Sequence, residues 1–242
     1  MSIDFKLELE KYFPVEHDSI YQIFDWEKIR NFLDFLESNN EKGGFFSRAD
    51  SGLIWERHVL ESVYHVYFIL KKLPVSRETM VLDVGSGQGL PGFLFFCLQN
   101  PPQVILLDSG KKRLGLLESF CGENFSKNPD FCFRRVEDFK GKFDLVIMRS
   151  VIPYPWSIEM VFHLVKVGGY FIPFLGKLNL NQELESLFLK KFGFDFPETI
   201  LLEELKFLGL RHLKFLKKVK EVRHSLQRDW SEIQKEIRKV NG

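Results

Sequence analysis

Three cysteines in 242 residues are too few, and too scattered, to build a metal centre or a disulfide framework. Cys97, Cys121 and Cys132 show no C-x-x-C spacing and no neighbouring histidine cluster. They read as reduced core thiols, which points to a cytoplasmic location. Long apolar runs are also missing. The longest, around Phe93–Leu98, falls far short of the roughly 18 residues a membrane helix needs, so no membrane association is expected. The first 30 residues are dotted with acids and hold no signal-peptide core. Internal repeats, low-complexity tracts and Gly/Ser linkers are absent. Net charge is scarce at +1, but it is unevenly spread. Residues 1–62 carry 7 Lys/Arg against 13 Asp/Glu, whereas residues 211–242 carry 10 against 4. A basic end suits a polyanionic partner, or simply a solvated helix face near an acidic N-terminal region.

What the chain does have is hydrophobic periodicity that changes once. Residues 1–75 follow a helical period. Over His17–Ser38, the residues Ile20, Ile23, Phe24, Phe32, Phe35 and Leu36 recur at helical spacing, and Asn39–Gly44 breaks the helix. Ser51 caps a second helix that Pro74 ends. Beyond residue 76, short β-branched or aromatic runs alternate with helical segments. Strands are expected at Met80–Val84, Val104–Leu107, Phe131–Val136, Leu145–Met148 and Gly169–Phe174. Helices are expected near Pro91–Leu98, Lys111–Phe125, Trp156–Val165 and Asn181–Phe192. That alternation implies a parallel sheet covered on both faces. Leu201–Lys206 and Leu213–Lys218 read as a closing antiparallel hairpin, and Val219–Val240 as a basic C-terminal helix. The organisation is therefore a helical region (1–75) packed on an α/β core (76–218), with a terminal helix (219–242). The 26 phenylalanines are distributed through every element and read as packing.

The stretch that carries chemistry is VLDVGSGQGLPG, Val81 to Gly92. Gly87–Gly92 satisfies G-x-G-x-x-G, the pattern of a dinucleotide loop. Read from Asp83, the same residues spell D-x-G-x-G-x-G through Gly85, Gly87 and Gly89, a methyl-donor loop. A dinucleotide site wants its first glycine directly after the strand, which here would be Gly87, with Asp83 left inside or at the end of the strand. A methyl-donor site wants the acid there, then Gly-x-Gly-x-Gly. A cationic sulfonium donor carries no pyrophosphate, so a carboxylate beside the loop is favourable to it. Val104–Leu107 ends in Asp108, 19 residues after Gly89, an acid able to accept both ribose hydroxyls of an adenosine. Both donor types contain that ribose, and Asp108 could equally cap the turn before Lys111.

D-V-G-S-G-Q-G-L-P-G followed by L-L-D-S-x-x-K-R resembles the GidB/RsmG family, S-adenosylmethionine-dependent methyltransferases that modify a guanine N7 of small-subunit (16S) ribosomal RNA. Leu90-Pro91-Gly92 is the distinctive element. Other blocks follow in order: Arg57-His58-Val59-Leu60-Glu61-Ser62, similar to the family's R-H-x-x-D-S with Glu61 replacing the aspartate, then Arg135-Val136-Glu137-Asp138-Phe139, Phe143–Ser150 and Arg211-His212-Leu213. The resemblance spans roughly residues 20–218. It implies a class I, Rossmann-like methyltransferase: a mostly parallel seven-stranded sheet with an antiparallel closing strand and an N-terminal helical addition. It further implies S-adenosylmethionine as donor and S-adenosylhomocysteine as product. Donor-binding residues would be Asp83, Gly85, Ser86, Gly87, Gly89, Leu90, Asp108, Ser109, Val136, Glu137 and Arg149. Three departures stand out. Gly44-Phe45-Phe46 falls on the family's Asn-Leu-Thr, Met148 on a serine, and Leu175-Gly176 on Lys-Gly.

Guanine N7 has an in-plane lone pair and no proton, so no acid or base is expected among the catalytic groups. Asp83, His58 and Arg149 are candidates for positioning. The expected partner is small-subunit rRNA or the assembling small subunit, with oligomeric state left open. Candidate RNA contacts are Arg57, Lys112, Arg113, Arg134, Arg135, Arg211, Lys217, Lys218, Lys220 and Arg223. The alternatives are a methyltransferase with another RNA target, a non-catalytic RNA-binding module with a vestigial donor site, and an NAD-dependent oxidoreductase.

Overall fold

The computed structural model describes residues 3–178 and 181–241. Seven strands form one sheet in the order β3-β2-β1-β4-β5-β7-β6. They are β1 (Met80–Val84), β2 (Gln103–Leu107), β3 (Asp130–Cys132), β4 (Phe143–Arg149), β5 (Val165–Leu175), β6 (Glu198–Leu201) and β7 (His212–Lys217). The first five run parallel, and β7 is antiparallel to both β5 and β6. The chain steps outward from β1 to β3 and then returns to β4 beside β1. The crevice at the carboxyl ends of β1 and β4 is thus the switch point where ligands of open α/β sheets bind.

Strand alternation divides the core into two layers. Val81, Leu106, Leu145, Ile147 and Ile172 point to one face. It is covered by helices α1 (Phe5–Tyr12), α2 (His17–Ile23), α3 (Trp26–Gly43), α4 (Glu61–Lys72), α5 (Gly92–Phe96) and α6 (Lys111–Asn124). Leu82, Val84, Val146, Met148 and Phe171 point to the other, under α7 (Trp156–Val161), α8 (Gln182–Phe192) and α9 (Trp230–Asn241). The phenylalanines knit the first layer. Phe32 packs on Phe93 at 4.3 Å between centroids, Phe35 stacks on Phe120 at 4.6 Å, and Phe125 meets Phe96 and Phe120 at 5.6 Å. Each such pair contributes about 0.5–1.5 kcal/mol beyond its buried area, so the N-terminal helices share their core with α5 and α6. Among the described residues, no helix is long and apolar enough to cross a membrane.

Several boundaries differ from the sequence expectation, each for a local reason. The helix expected over His17–Ser38 is two. Phe24 is extended and bridges Leu98, and Asp25 then caps α3 by accepting from the Lys28 amide at 3.2 Å. α3 runs on to Gly43 and stops at Gly44, whose φ is +62°. The strand expected over Leu201–Lys206 lies earlier, at Glu198–Leu201, and Glu203–Leu208 coils instead into 3₁₀ turns that bury Leu205. β3 is short, and Val136–Asp138 forms a 3₁₀ turn. α5 and α7 are shorter than the expected Pro91–Leu98 and Trp156–Val165. The C-terminal helix begins only at Trp230. Upstream, the backbone is committed elsewhere: Asp195 N–H donates to the Lys217 carbonyl and Val219 N–H to that of Gly193.

Candidate functional site

A cavity of about 770 Å³ opens at the carboxyl ends of β1, β2 and β4. Its first wall is the glycine loop. Gly85 leaves β1 with φ +75°, and a side chain there would also strike Val151, so glycine is required. The Gly85 and Ser86 amides donate to the Leu107 carbonyl at 2.7 and 3.1 Å, and Ser86 Oγ donates to the Asp83 carbonyl at 2.8 Å. Asp108, at the end of β2, ties the loop down. Its Oδ2 accepts from the Gly87 amide at 2.8 Å and its Oδ1 from the Gly110 amide at 2.7 Å. A carboxylate offers roughly four lone-pair sites, so acceptor capacity remains toward the cavity. A Cβ on Gly87 would meet nothing within 4 Å, so that stretch of loop borders open space.

Gly85, Ser86, Gly87, Leu90, Asp108 and Ser109 line this cavity, together with Val136, Glu137 and Arg149. Asp83 and Gly89 do not. Asp83 alternates with Leu82 and Val84, so its side chain falls on the opposite face, the one covered by α5. There its Oδ2 accepts from the Gly92 amide at 2.9 Å. Any side chain at Gly92 would collide with that carboxyl, which explains the glycine. Asp83 Oδ1 is buried without a hydrogen-bond partner. Gly89, at φ +105°, turns toward Leu117 and Phe93 instead.

The cavity floor is an ion cluster joining distant segments. Buried Glu61 binds Arg211 Nε, and Arg149 Nη1 lies 3.8 Å from its other oxygen and 3.3 Å from Ser62 Oγ. Burial pushes the Arg149 guanidinium down from its ordinary value, and Glu61 and Asp83 oppose that shift. At the mouth, His58 stacks on Phe46 with ring centroids 4.1 Å apart, beside Asp50 at 3.9 Å. His58 is presented by a π-helical turn, Trp55–Leu60. Of the positions that departed from the family pattern, Phe45, Phe46 and Leu175 face the cavity, Gly44 does not, and Met148 packs beneath the sheet.

The cationic candidates separate into groups. Arg113, Arg134 and Arg135 are exposed on the cavity rim, with Arg135 3.6 Å from Glu137. Arg57 is bound by Asp50 at 2.6 Å, and Lys112 lies outside the cavity. Lys217, Lys220 and Arg223 are exposed but away from the cavity. Lys218 is fully buried, donating to the Phe192 carbonyl at 2.5 Å beneath the end of α8, and burial pushes it down to about 8. It is unavailable to RNA.

Among the lining residues that escaped the sequence reading are His65 and Trp230. His65 lies one turn beyond Glu61 on α4, a spacing that places both on one helix face and could have marked it. Its Nδ1 is 2.7 Å from the Glu61 carbonyl, an acceptor only, so Nδ1 carries the proton and the buried Nε2 is a partnerless acceptor. Trp230 comes from α9, and no local pattern distinguishes it from core.

Burial pushes the imidazoles of His58, His65 and His163 down to about 4. Their contribution to stability is present above the ordinary histidine value of about 6.5 and is lost as pH falls through 4. Burial raises Asp83 to about 7, which acts in the opposite sense: its contribution is present below the ordinary aspartate value and lost as pH rises through 7. Three imidazoles oppose one carboxyl, so the melting temperature should fall between pH 6.5 and 4. His65→Phe should flatten that fall in a pH series of thermal melts, and an unchanged or rising melting temperature in the wild type would contradict it.

A family model described as rRNA small subunit methyltransferase G matches residues 25–191. A protein of Leptospira interrogans called ribosomal RNA small subunit methyltransferase G is 45% identical over 97% of this chain and 92% of its own. A protein of the same name from Alkaliphilus oremlandii is 29% identical over 78% of this chain and 81% of its own. Among solved structures, magnesium protoporphyrin IX methyltransferase from Synechocystis, with bound SAM, superposes with a TM-score of 0.56 at 16% identity, covering 89% of this chain and 98% of that one. A putative S-adenosylmethionine-dependent methyltransferase from Methanococcus maripaludis gives 0.57 at 14% identity, covering 71% and 91%. The fold is that of the class I S-adenosylmethionine-dependent methyltransferases.

Proposed function

Because this chain belongs to the rRNA small subunit methyltransferase G family, we propose that it transfers the methyl group of S-adenosylmethionine to a guanine N7 of 16S rRNA. S-adenosylhomocysteine is the product. The observation that carries the donor half is Asp108: a carboxylate that anchors the glycine loop and still has acceptor sites facing the cavity. A ribose diol suits those sites, and an adenine beyond it would lie toward Val136 and Glu137, next along the sheet. When bound, S-adenosylmethionine supplies an electrophilic methyl group on a cationic sulfur.

This chain's own part is positioning. N7 attacks with a lone pair and no proton has to leave, so the site needs no general base. Neutral His65 Nε2 and the ion-paired Glu61–Arg149 floor offer hydrogen-bonding and electrostatic contacts in a recess shielded from water. Holding nucleophile, methyl and leaving sulfur in line can lower a barrier by up to roughly 7–11 kcal/mol. The Phe46–His58 pair gives a flat face for an unpaired base at the mouth. Arg113, Arg134 and Arg135 on the rim suit phosphates.

A second reading, methylation of another RNA target, is favoured by one observation. The departures at Phe45, Phe46 and Leu175 fall on the cavity wall. Incubating the protein and labelled donor with unmodified small subunits, deproteinised rRNA and total RNA separates the two. Label at a 16S guanine N7 is expected. Label at another base, or only in other RNA, supports the second reading, and failure to bind S-adenosylmethionine removes both.

A further inference from the structure

We infer that the C-terminal segment completes the donor site: Trp230 forms the outer wall of the nucleoside end of the cavity, and an Arg228–Glu159 latch holds it there. This rests on the donor reading above and adds a binding residue from outside the matched core, since the family model ends at residue 191.

The argument begins with a buried carboxylate. Glu159 on α7 is fully buried. Among the described residues its charge is met by Arg228, through Nη2–Oε2 at 2.6 Å and Nε–Oε1 at 3.0 Å, and the Arg228 backbone amide donates to Oε1 at 2.9 Å. Fork and amide together fix both the side chain and the main chain of residue 228. The remaining guanidinium nitrogen, Nη1, holds Glu236 on α9 at 2.6 Å, tying the helix to the same point. One residue earlier, Gln227 Nε2 approaches Met160 Sδ at 3.7 Å. Two consecutive residues of the tail thus dock on two consecutive residues of α7.

That docking sets where Trp230 goes. It is the first residue of α9, two positions after the latch, and it lines the donor cavity together with Met160, Val136 and Glu137. It packs, half-buried, against the apolar cluster containing Val136, Met148 and Met160. With Asp108 on the ribose, the base extends from the end of β2 toward β3, to the end of the cavity where Val136, Met160 and Trp230 meet. An indole there provides the large flat surface a purine packs against. α9 follows the latch and buries Ile233 in this second core layer, which anchors the helix that begins at Trp230.

The test is titration of the full-length protein with S-adenosylhomocysteine by calorimetry and by tryptophan fluorescence. Trp230→Ala is expected to weaken binding about tenfold or more, the measure of one lost base–aromatic stack, and Trp230→Phe to recover most of that loss. Arg228→Gln is expected to weaken binding as Trp230→Ala does and to shift emission to the red as the indole is released. The double variant should bind no more weakly than the weaker single. Ligand should change emission in the wild type, and most of that change should vanish in Trp230→Phe. Wild-type affinity in Trp230→Ala, an undiminished emission change in Trp230→Phe, or additive losses in the double variant would each overturn the inference. If the wild type itself binds no ligand, the donor reading fails, and this inference falls with it.

Discussion

Asp108→Ala is expected to lower affinity for S-adenosylmethionine by about 100-fold or more while leaving the protein folded. The carboxylate holds the loop from two sides, at the Gly87 and Gly110 amides. In the proposed donor complex its free acceptor sites take a ribose diol. Hydrogen bonds to a charged acceptor are worth about 1.5–3 kcal/mol each. The residue is only half-buried, so the lower figure applies to each of two bonds. About 3 kcal/mol corresponds to roughly 100-fold in affinity, before counting the loosened loop. Asp108→Asn keeps one acceptor atom and should lose less. Calorimetric titration of both variants, with a thermal melt to show that the fold survives, decides the matter. Affinity within threefold of wild type in Asp108→Ala would mean that the carboxylate is only a turn anchor.

The second large effect is on stability. Glu61 is buried, and two guanidiniums, Arg149 at the end of β4 and Arg211 just before β7, face it from far along the chain. Removing one partner of a buried ion pair costs about 3–5 kcal/mol, because the other charge is left without compensation. Here two cations are left, but both retain some exposure, so the low end applies. About 3 kcal/mol in a chain of this size lowers the melting temperature by about 6–12 °C. Glu61→Ala should show that fall. Glu61→Asp keeps the charge on a shorter arm, is the residue the family pattern carries, and should lose much less. A fall under 3 °C in Glu61→Ala would show that water already compensates the cluster. The same variant should impair methyl transfer, since Arg149 loses the group that orients it.

What the sequence alone determined were the features whose physics is local. Strand and helix periods fixed the α/β alternation and the parallel sheet, because burial of one face imposes a period of 2 or 3.6 on the residues themselves. Gly85, Gly87, Leu90 and Asp108 were legible because a glycine loop after a strand and an acid after the next strand occupy fixed places in such a sheet. Strand alternation would even have placed Asp83 correctly: it shares a face with Val81, so it caps α5 at Gly92 rather than entering the cavity. Breaks in the helices were less legible, since Phe24 is apolar and in phase, and only its bridge to Leu98 makes it extended.

Tertiary structure decided the rest, and the reason is distance along the chain. Lys218 reads as a cation in a basic run, yet the pairing of residues 193–195 with 217–219 buries it against the Phe192 carbonyl. Glu61 reads as a conservative replacement until Arg211, 150 residues away, arrives beside it. Trp230 reads as one more apolar residue in a basic helix, yet it lines the cavity beside the Arg228–Glu159 contact, whose partners are 69 residues apart in sequence. Periodicity records which face of an element is buried. Which distant charge or ring meets that face depends on how the sheet is ordered and on where the chain returns.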